Sequence, residues 1–185
     1  MPSKKTKKKV AKKTAAKNKN TLTTAKGLAI AMQTELEGFE FYKVAAVKCK
    51  DDGAKKMFES LAKDEVEHHK ILRDRYYAIV EGKDFKTPKL TGKSRLRVKS
   101  PVFSKAFLES KKQKHFEMSA LTVGILLEQN AIEFFKAQAV KSKDAVTKKM
   151  FKELAAWEGE HLRALIAQKQ FLYRAIFAEA RFEPM

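Results

Sequence analysis

Residues 61–72 read LAKDEVEHHKIL, and residues 154–165 read LAAWEGEHLRAL. Each segment carries a glutamate and a histidine three positions apart, within a spacing of leucines that is typical of the buried side of a helix. Because residues three apart on a helix differ by about 60° in direction, Glu65 and His68 project from one face, and so do Glu158 and His161. The two segments therefore predict two helices that each present a carboxylate and an imidazole to the protein core.

Both segments belong to a longer internal repeat. A shift of 93 positions superposes residues 35–72 on residues 128–165 without a gap, and 19 of these 38 positions are identical. The same shift places Glu35 on Glu128, and each of these lies 30 positions before the glutamate of its Glu-x-x-His pair. An internal duplication is the simplest explanation. It predicts two helical hairpins, related by a pseudo-two-fold axis, that bring matching residues to one central point.

The wider pattern favours an all-α protein. The 185 residues include only 7 Gly and 4 Pro, so helix breakers are few. Apolar stripes of helical period begin near Thr24 and near Ser119, and Asp51-Asp52-Gly53 ends the first of them. Two antiparallel hairpins, joined by a long crossover at 83–114 that holds a short helix after Ser100-Pro101, predict a four-helix bundle.

The net charge of +18 is concentrated in two segments. Residues 1–26 contain ten lysines and no acid, and residues 83–114 have a net charge of +9, which leaves −1 for the rest of the chain. Since the first residues are too polar to form a core and repel one another, we expect a disordered lysine-rich tail at 1–22 before a bundle domain at 23–180. Polylysine binds any polyanion, so residues 1–26 allow non-specific contact with nucleic acid or another polyanion.

The compartment is predicted from what the sequence lacks. With a single cysteine, Cys49, the chain can form neither an internal disulfide nor a Cys-x-x-Cys site, which fits a reducing compartment. The longest apolar run, at 120–127, is too short to span a membrane, and no apolar segment follows the first lysines. We therefore expect a soluble cytoplasmic protein with no membrane contact.

Four glutamates and two histidines are predicted to meet in the core, namely Glu35, Glu65, His68, Glu128, Glu158 and His161. Di-iron and di-manganese bundles use this set, with one Glu from each of two helices and Glu-x-x-His from each of the other two. Four ionised carboxylates would each cost several kcal/mol to desolvate, whereas two divalent cations cancel their charge. Mixed oxygen and imidazole ligands suit iron or manganese, and the absence of thiolates argues against structural zinc. The set predicts two Fe ions, with Mn as the alternative.

The same pattern can also arise without metal binding. A single Glu-x-x-His on a helix is commonplace and usually marks a solvated face. Two copies in a gapless repeat, each within an apolar stripe and each preceded by a core glutamate, favour metal binding instead. The remaining alternative is a bundle that keeps the pattern but has lost its metal.

Four segments resemble the rubrerythrin-like branch of the ferritin superfamily: ELEGFEFY at 35–42, LAKDEVEHHKIL at 61–72, EQNAIEFF at 128–135 and LAAWEGEHLRAL at 154–165. The resemblance covers about residues 24–175 and implies a ferritin-like fold. It also implies a role for each candidate ligand. Glu65 and Glu158 would bridge the two metals, and Glu35 and Glu128 would each bind one metal as terminal carboxylates. His68 and His161 would each bind one metal through the imidazole.

The resemblance also implies a role for Tyr42, which matches a tyrosine that lies beside such centres. Tyr42 is either a catalytic neighbour of the metals or a packing residue, and its equivalent in the repeat is Phe135. Rubrerythrins tend to carry a further glutamate three residues after the third-helix ligand, where this chain has Ala131, so the ligand set is closer to that of ferritins. Full rubrerythrins also append a rubredoxin domain with paired Cys-x-x-Cys motifs. This chain has no such motif, which implies an external electron donor.

The function implied is that of a non-haem di-iron oxidoreductase which couples Fe(II) oxidation to the reduction of O2 or H2O2. Ferroxidase, oxidase and peroxidase activity all remain open, and a role in iron handling or oxidative-stress defence follows by analogy. We also expect a homodimer, since ferritin-like bundles usually pair. One alternative is a DNA- or polyanion-associated iron-binding protein that uses the lysine-rich tail. Another is a helical interaction bundle without catalysis.

Overall fold

The computed structural model describes residues 4–86, 88, 90, 96, 100–109 and 114–180, with side chains described from residue 21 to residue 178. Its elements are α1 (Lys4–Lys48), α2 (Asp52–Glu81), α3 (Lys105–Leu108), α4 (His115–Lys141) and α5 (Ala145–Ala180). Every regular element among these residues is a helix, so the all-α prediction is confirmed. Within them, no helix is both long enough and apolar enough to cross a membrane.

The predicted break at Asp51-Asp52-Gly53 separates α1 from α2. The side chain of Asp51 caps α2 by accepting a hydrogen bond from the backbone N–H of Ala54 at 2.9 Å. At the other end of α2, Gly82 adopts the left-handed conformation (φ 68°), which residues with a side chain rarely adopt, and its N–H donates to the carbonyl of Ala78. These two caps set where α2 begins and ends. Helix α2 packs on α1 to form the first hairpin.

The first helix begins earlier than its apolar stripe. The structure continues α1 to Lys4, whereas the periodicity predicted a start near Thr24. No proline or glycine lies between Lys4 and Lys26, and lysine and alanine both favour helix, so nothing local ends the helix there. Residues 1–3 and the side chains of residues 4–20 lie outside the described part of the chain. The division into a tail at 1–22 and a bundle domain at 23–180 stays a prediction.

The duplication is visible in the packing. Tyr42 stacks on Phe58 with ring centroids 6.1 Å apart, and the equivalent residues Phe135 and Phe151 stack at 5.9 Å. Equivalent core leucines are fully buried in both halves, namely Leu28 and Leu121, Leu61 and Leu154, and Leu72 and Leu165. The hairpins α1–α2 and α4–α5 are thus built alike, and α1 contacts α4 to join them into the predicted bundle.

Two apolar clusters fill the bundle and leave a gap between them. Along α1, one cluster extends to Ala31 and the other begins at Tyr42, so that Glu35 lies between them. Along α2, one cluster ends at Ala62 and the other begins at Ile71. The core is therefore apolar at both ends and polar in the middle.

The two halves are tied together differently. Arg75 near the end of α2 donates to Thr147 Oγ1 at 2.8 Å and to Asp144 Oδ2 at 2.5 Å, which fixes α2 to the start of α5. The position equivalent to Arg75 is Gln168, which instead binds the crossover by donating to the carbonyl of Ser100 and accepting from the N–H of Val102. At one of these two equivalent positions, Arg75 forms an ion pair with Asp144. At the other, Gln168 hydrogen-bonds the backbone of the crossover.

The predicted short helix in the crossover is present as α3. Ser104 caps it by accepting from the N–H of Phe107 at 3.1 Å, and its own N–H donates to Asp51 Oδ2 at 2.9 Å. The fourth element, α4, begins at His115, four residues before the predicted start at Ser119. Residues 91–95, 97–99 and 110–113 of the crossover lie outside the described residues.

Candidate metal centre

The polar middle of the core consists of the six side chains that the sequence singled out. Their exposed fractions are 5% or less, at 2% for Glu35, 5% for Glu65, 0% for His68, 2% for Glu128, 1% for Glu158 and 0% for His161. They come from four helices, with one glutamate each on α1 and α4 and a Glu-x-x-His pair each on α2 and α5. The fold therefore brings all six to one buried place. Their role as metal ligands stays a prediction.

The six side chains form two overlapping groups. Ligand atoms of Glu35, Glu65, His68 and Glu158 all lie within 4.8 Å of one another, and so do those of Glu65, Glu128, Glu158 and His161. Glu65 and Glu158 belong to both groups, whereas the other four residues belong to one group each. Such sharing suits two cations side by side, each with its own glutamate and histidine and with two carboxylates in common.

Both imidazoles point the same nitrogen at the carboxylates. Nδ1 of His68 lies 2.8 Å from Glu158 Oε1, 3.2 Å from Glu35 Oε2 and 3.6 Å from Glu65 Oε2. Nδ1 of His161 lies 2.9 Å from Glu158 Oε2 and 3.6 Å from Glu128 Oε1. The two rings are roughly parallel, with centroids 5.6 Å apart. Two bound metals would thus be held by oxygens of four carboxylates and by two Nδ1 atoms.

The hydrogen bonding of this cluster is incomplete among the described residues. Glu35 Oε1 is buried and lacks a hydrogen-bond partner, and the single Nδ1 of His68 faces oxygens of three carboxylates. A buried acceptor left unpaired costs about 1–3 kcal/mol, and more when it is charged. A cation satisfies several oxygen lone pairs at once, which hydrogen bonds from one imidazole cannot do. The residues present therefore fit a pair of divalent cations with oxygen and nitrogen ligands.

The pKa values reveal how strained the cluster is without cations. Burial raises the pKa of Glu35 and of Glu128 well above the ordinary value of 4.5, and the charges of neighbouring glutamates raise it further. For Glu158 the imidazolium charges outweigh burial, so its pKa falls below that value. Burial lowers the pKa of both histidines, but contacts with the carboxylates outweigh it and raise the pKa of each well above 6.5. The metal-free cluster thus holds protons where cations would otherwise balance its charge.

Tyr42 contacts the cluster directly. Its side chain is fully buried, and its hydroxyl donates a 2.6 Å hydrogen bond to Glu128 Oε1. Burial, and then the charge of Glu128, raises the pKa of the phenol well above 10, so it keeps its proton. A glycine on α4 makes room for the ring, because a Cβ at Gly124 would lie 3.3 Å from Tyr42 Cε1. Tyr42 is therefore a hydrogen-bonding neighbour of a candidate ligand as well as a core residue.

A small cavity of about 20 Å³ adjoins the cluster between α1 and α4. Its lining includes Glu35, Tyr42, Glu65 and Glu128. Gly38 and Ala131 also line it, and these are equivalent positions of the repeat, so small residues keep it open from both halves. The space suits a molecule about the size of water.

One polar neighbour of the centre was missed by sequence reasoning. Asp64 Oδ2 lies 3.0 Å from His161 Nε2, on the opposite side of the ring from the carboxylates. The signal was available in the repeat, because the residue directly before each Glu-x-x-His pair differs between the halves: Asp64 in one and Trp157 in the other. The ring of Trp157, on α5, contacts that of His68 on α2, with centroids 4.3 Å apart.

Comparisons with known proteins agree with this architecture. The model of the rubrerythrin family matches residues 2–77 and, in a second match, residues 26–169. Among solved structures, a hypothetical protein from Pyrococcus furiosus is similar, with 25% identity, a TM-score of 0.61 and coverage of 82% of this chain and 90% of that one. No curated protein matches at a significant level.

The pKa shifts predict how the metal-free protein responds to pH. Glu35, Glu128, His68 and His161 all have folded-state pKa values above their ordinary ones, so their contribution to stability is present at low pH and lost as pH rises through the folded values. Glu158 has the opposite shift, and its contribution is already complete above 4.5. The chelator-treated protein should therefore melt at a lower temperature at about pH 8 than at about pH 6.

Thermal unfolding followed by circular dichroism measures this dependence. The double variant Glu35→Gln/Glu128→Gln, which removes two of the four groups, should flatten it. A melting temperature of the metal-free wild type that stays constant or rises over that range would contradict the assignment of these shifts.

Proposed function

The chain belongs to the rubrerythrin family, and on that premise we propose that it is a di-iron oxidoreductase that oxidises Fe(II) with H2O2 or O2. Its metal ligands are the six residues of the buried cluster: Glu35, Glu65, His68, Glu128, Glu158 and His161. Iron is favoured over manganese by the family, and the carboxylate and imidazole donors suit either metal.

The observation that carries the proposal is the sharing of two carboxylates between two donor groups. Glu65 and Glu158 each lie within reach of both groups, and each group adds one glutamate and one histidine of its own. A structural ion pair would need no such doubling, and a single cation bound to either group would leave one glutamate and one histidine unused. Two cations use every donor in the cluster and balance a charge of −4.

When bound, a pair of Fe(II) ions would supply two electrons. Together with two protons, these electrons either break the O–O bond of H2O2 to give two water molecules or reduce O2 to H2O2. The protein residues position the two metals for this reaction. Glu65 and Glu158 keep the two positions adjacent, and the buried helices exclude bulk water from around them. Tyr42 fixes one oxygen of Glu128 through its hydroxyl and brings a phenolic proton to the edge of the site.

The size of the adjoining cavity supports a small oxidant. Its volume of about 20 Å³ accepts a molecule on the scale of O2 or H2O2 and excludes an organic substrate. Gly38 and Ala131, at equivalent positions of the two halves, contribute only small side chains to its lining.

Repeated turnover requires electrons from another molecule. The chain has one cysteine and no Cys-x-x-Cys motif, so it carries no rubredoxin-type iron site. We therefore propose an external electron donor as a partner. The homodimer, the cytoplasmic location and the polyanion contact through residues 1–26 also stay predictions, and the side chains of residues 1–20 lie outside the described part.

Removal of a shared carboxylate tests the proposal. Anaerobic protein loaded with Fe(II) should bind two irons per chain, develop a near-ultraviolet absorbance band on addition of H2O2, and consume the peroxide. Glu65→Ala and Glu158→Ala each remove a donor from both groups, so iron content should fall and peroxide consumption should drop by at least about 100-fold. Glu133→Ala on α4, an exposed glutamate, is the matched control and should behave as wild type. Peroxide consumption that is unchanged in both cluster variants would refute the proposal.

Replacement of Tyr42 separates its chemistry from its packing. Tyr42→Phe keeps the ring, and Phe135 occupies the equivalent place in the other half, so the variant should fold and bind two irons. Loss of the hydrogen bond to Glu128 should slow iron oxidation by about 10–100-fold. Stopped-flow absorbance measures the rate, and Tyr77→Phe, at an exposed tyrosine, is the control. An unchanged oxidation rate would restrict Tyr42 to packing.

A further inference from the structure

The two histidines of the centre differ on the side that faces away from the carboxylates. Nε2 of His161 lies 3.0 Å from Oδ2 of Asp64, whose side chain is 13% exposed. Nε2 of His68 is buried and has no hydrogen-bond partner within the described residues, and the ring of Trp157 lies edge-on against that imidazole. The centre thus departs from its pseudo-two-fold symmetry just beyond the candidate ligands.

This difference arises from one pair of equivalent positions. Asp64 directly precedes Glu65 on α2, and Trp157 directly precedes Glu158 on α5. Each of them contacts the histidine of the opposite hairpin, since Asp64 reaches His161 and Trp157 reaches His68. The duplication placed two residues in the same structural role, and only one of them is a hydrogen-bond acceptor.

An acceptor at this place changes how an imidazole binds a metal. Because each ring turns Nδ1 toward the carboxylates, Nε2 is the nitrogen left to carry the proton of a neutral, metal-binding imidazole. A carboxylate that accepts this N–H fixes the ring and increases the electron density on the metal-binding nitrogen. Loss of such a partner typically weakens metal binding or activity about 10–100-fold.

We propose that the two metal positions are unequal, and that the position at His161 binds its metal more tightly and fills first because Asp64 positions that imidazole. The position at His68 relies on packing against Trp157 and should bind about 10–100-fold more weakly. The inference rests on the proposed metal centre, but it goes further, because the centre could equally well bind two metals with the same affinity.

An anaerobic titration of the full chain with Co(II) tests the inference without redox chemistry. Absorbance in the visible range follows binding, and NMR spectra of protein labelled with 15N-histidine identify which imidazole is affected. With sub-stoichiometric Co(II), the signals of His161 should change before those of His68. The variants His68→Gln and His161→Gln assign the signals.

Variants at residue 64 test whether the hydrogen bond between Asp64 and His161 determines which metal position fills first. Asp64→Ala should weaken the tighter step by about 10–100-fold and bring the two steps together. Asp64→Asn keeps an acceptor but not the charge, so it should recover part of the loss. Asp74→Ala on the same helix makes the same change in net charge at an exposed side chain six residues beyond His68, and it should leave both steps unchanged.

Each result separates the inference from the proposed function. If no Co(II) binds at the cluster, the proposed metal centre itself is wrong. If two Co(II) ions bind with equal affinity, or if His68 responds first, the centre stands and the inference is overturned. The order of filling is measured on wild-type protein, so the test holds even if a variant at residue 64 fails to fold.

Discussion

Four carboxylates in a dry core constrain the whole structure. Each of the four glutamates is at least 95% buried, and an ionised carboxylate in such a place costs several kcal/mol unless opposite charge balances it. The fold gathers the carboxylates around two imidazoles, between apolar clusters at the two ends of the bundle. The long helices, the hairpin turns and the crossover all serve to hold that arrangement around a compact set of donors.

The repeat made much of this predictable from the sequence. Glu65 and His68 lie three residues apart in an apolar stripe, and their copies at 158 and 161 lie 93 positions later, so helix geometry and the pseudo-two-fold axis together predicted a single meeting point. Other features depend on relationships that no local pattern encodes. The contact between Asp64 and His161 joins α2 to α5, and it depends on how the two helices are rotated against each other.

The start of the first helix was not predicted by the apolar pattern. The apolar stripe marks where α1 begins to contact other helices, near Thr24, but the backbone continues as helix to Lys4. A stripe reports burial, whereas helix formation also follows intrinsic propensity, which is high in a lysine- and alanine-rich segment. Burial and helix boundaries therefore need not coincide.

The two halves share the six candidate ligands and differ in the residues around them. Arg75 ties one hairpin to the other through Asp144, while its equivalent Gln168 holds the crossover. Tyr42 donates to a candidate ligand, while Phe135 only packs. The two halves thus contribute matching carboxylates and imidazoles and place them in different surroundings.

The most direct measurement is a crystal structure of the anaerobically iron-loaded protein with anomalous diffraction recorded on both sides of the iron absorption edge. The account predicts two anomalous peaks inside the bundle, both in contact with Glu65 and Glu158, with His68 on one peak and His161 on the other. A single peak, or iron bound only at the protein surface while the cluster stays hydrogen-bonded to itself, would contradict it.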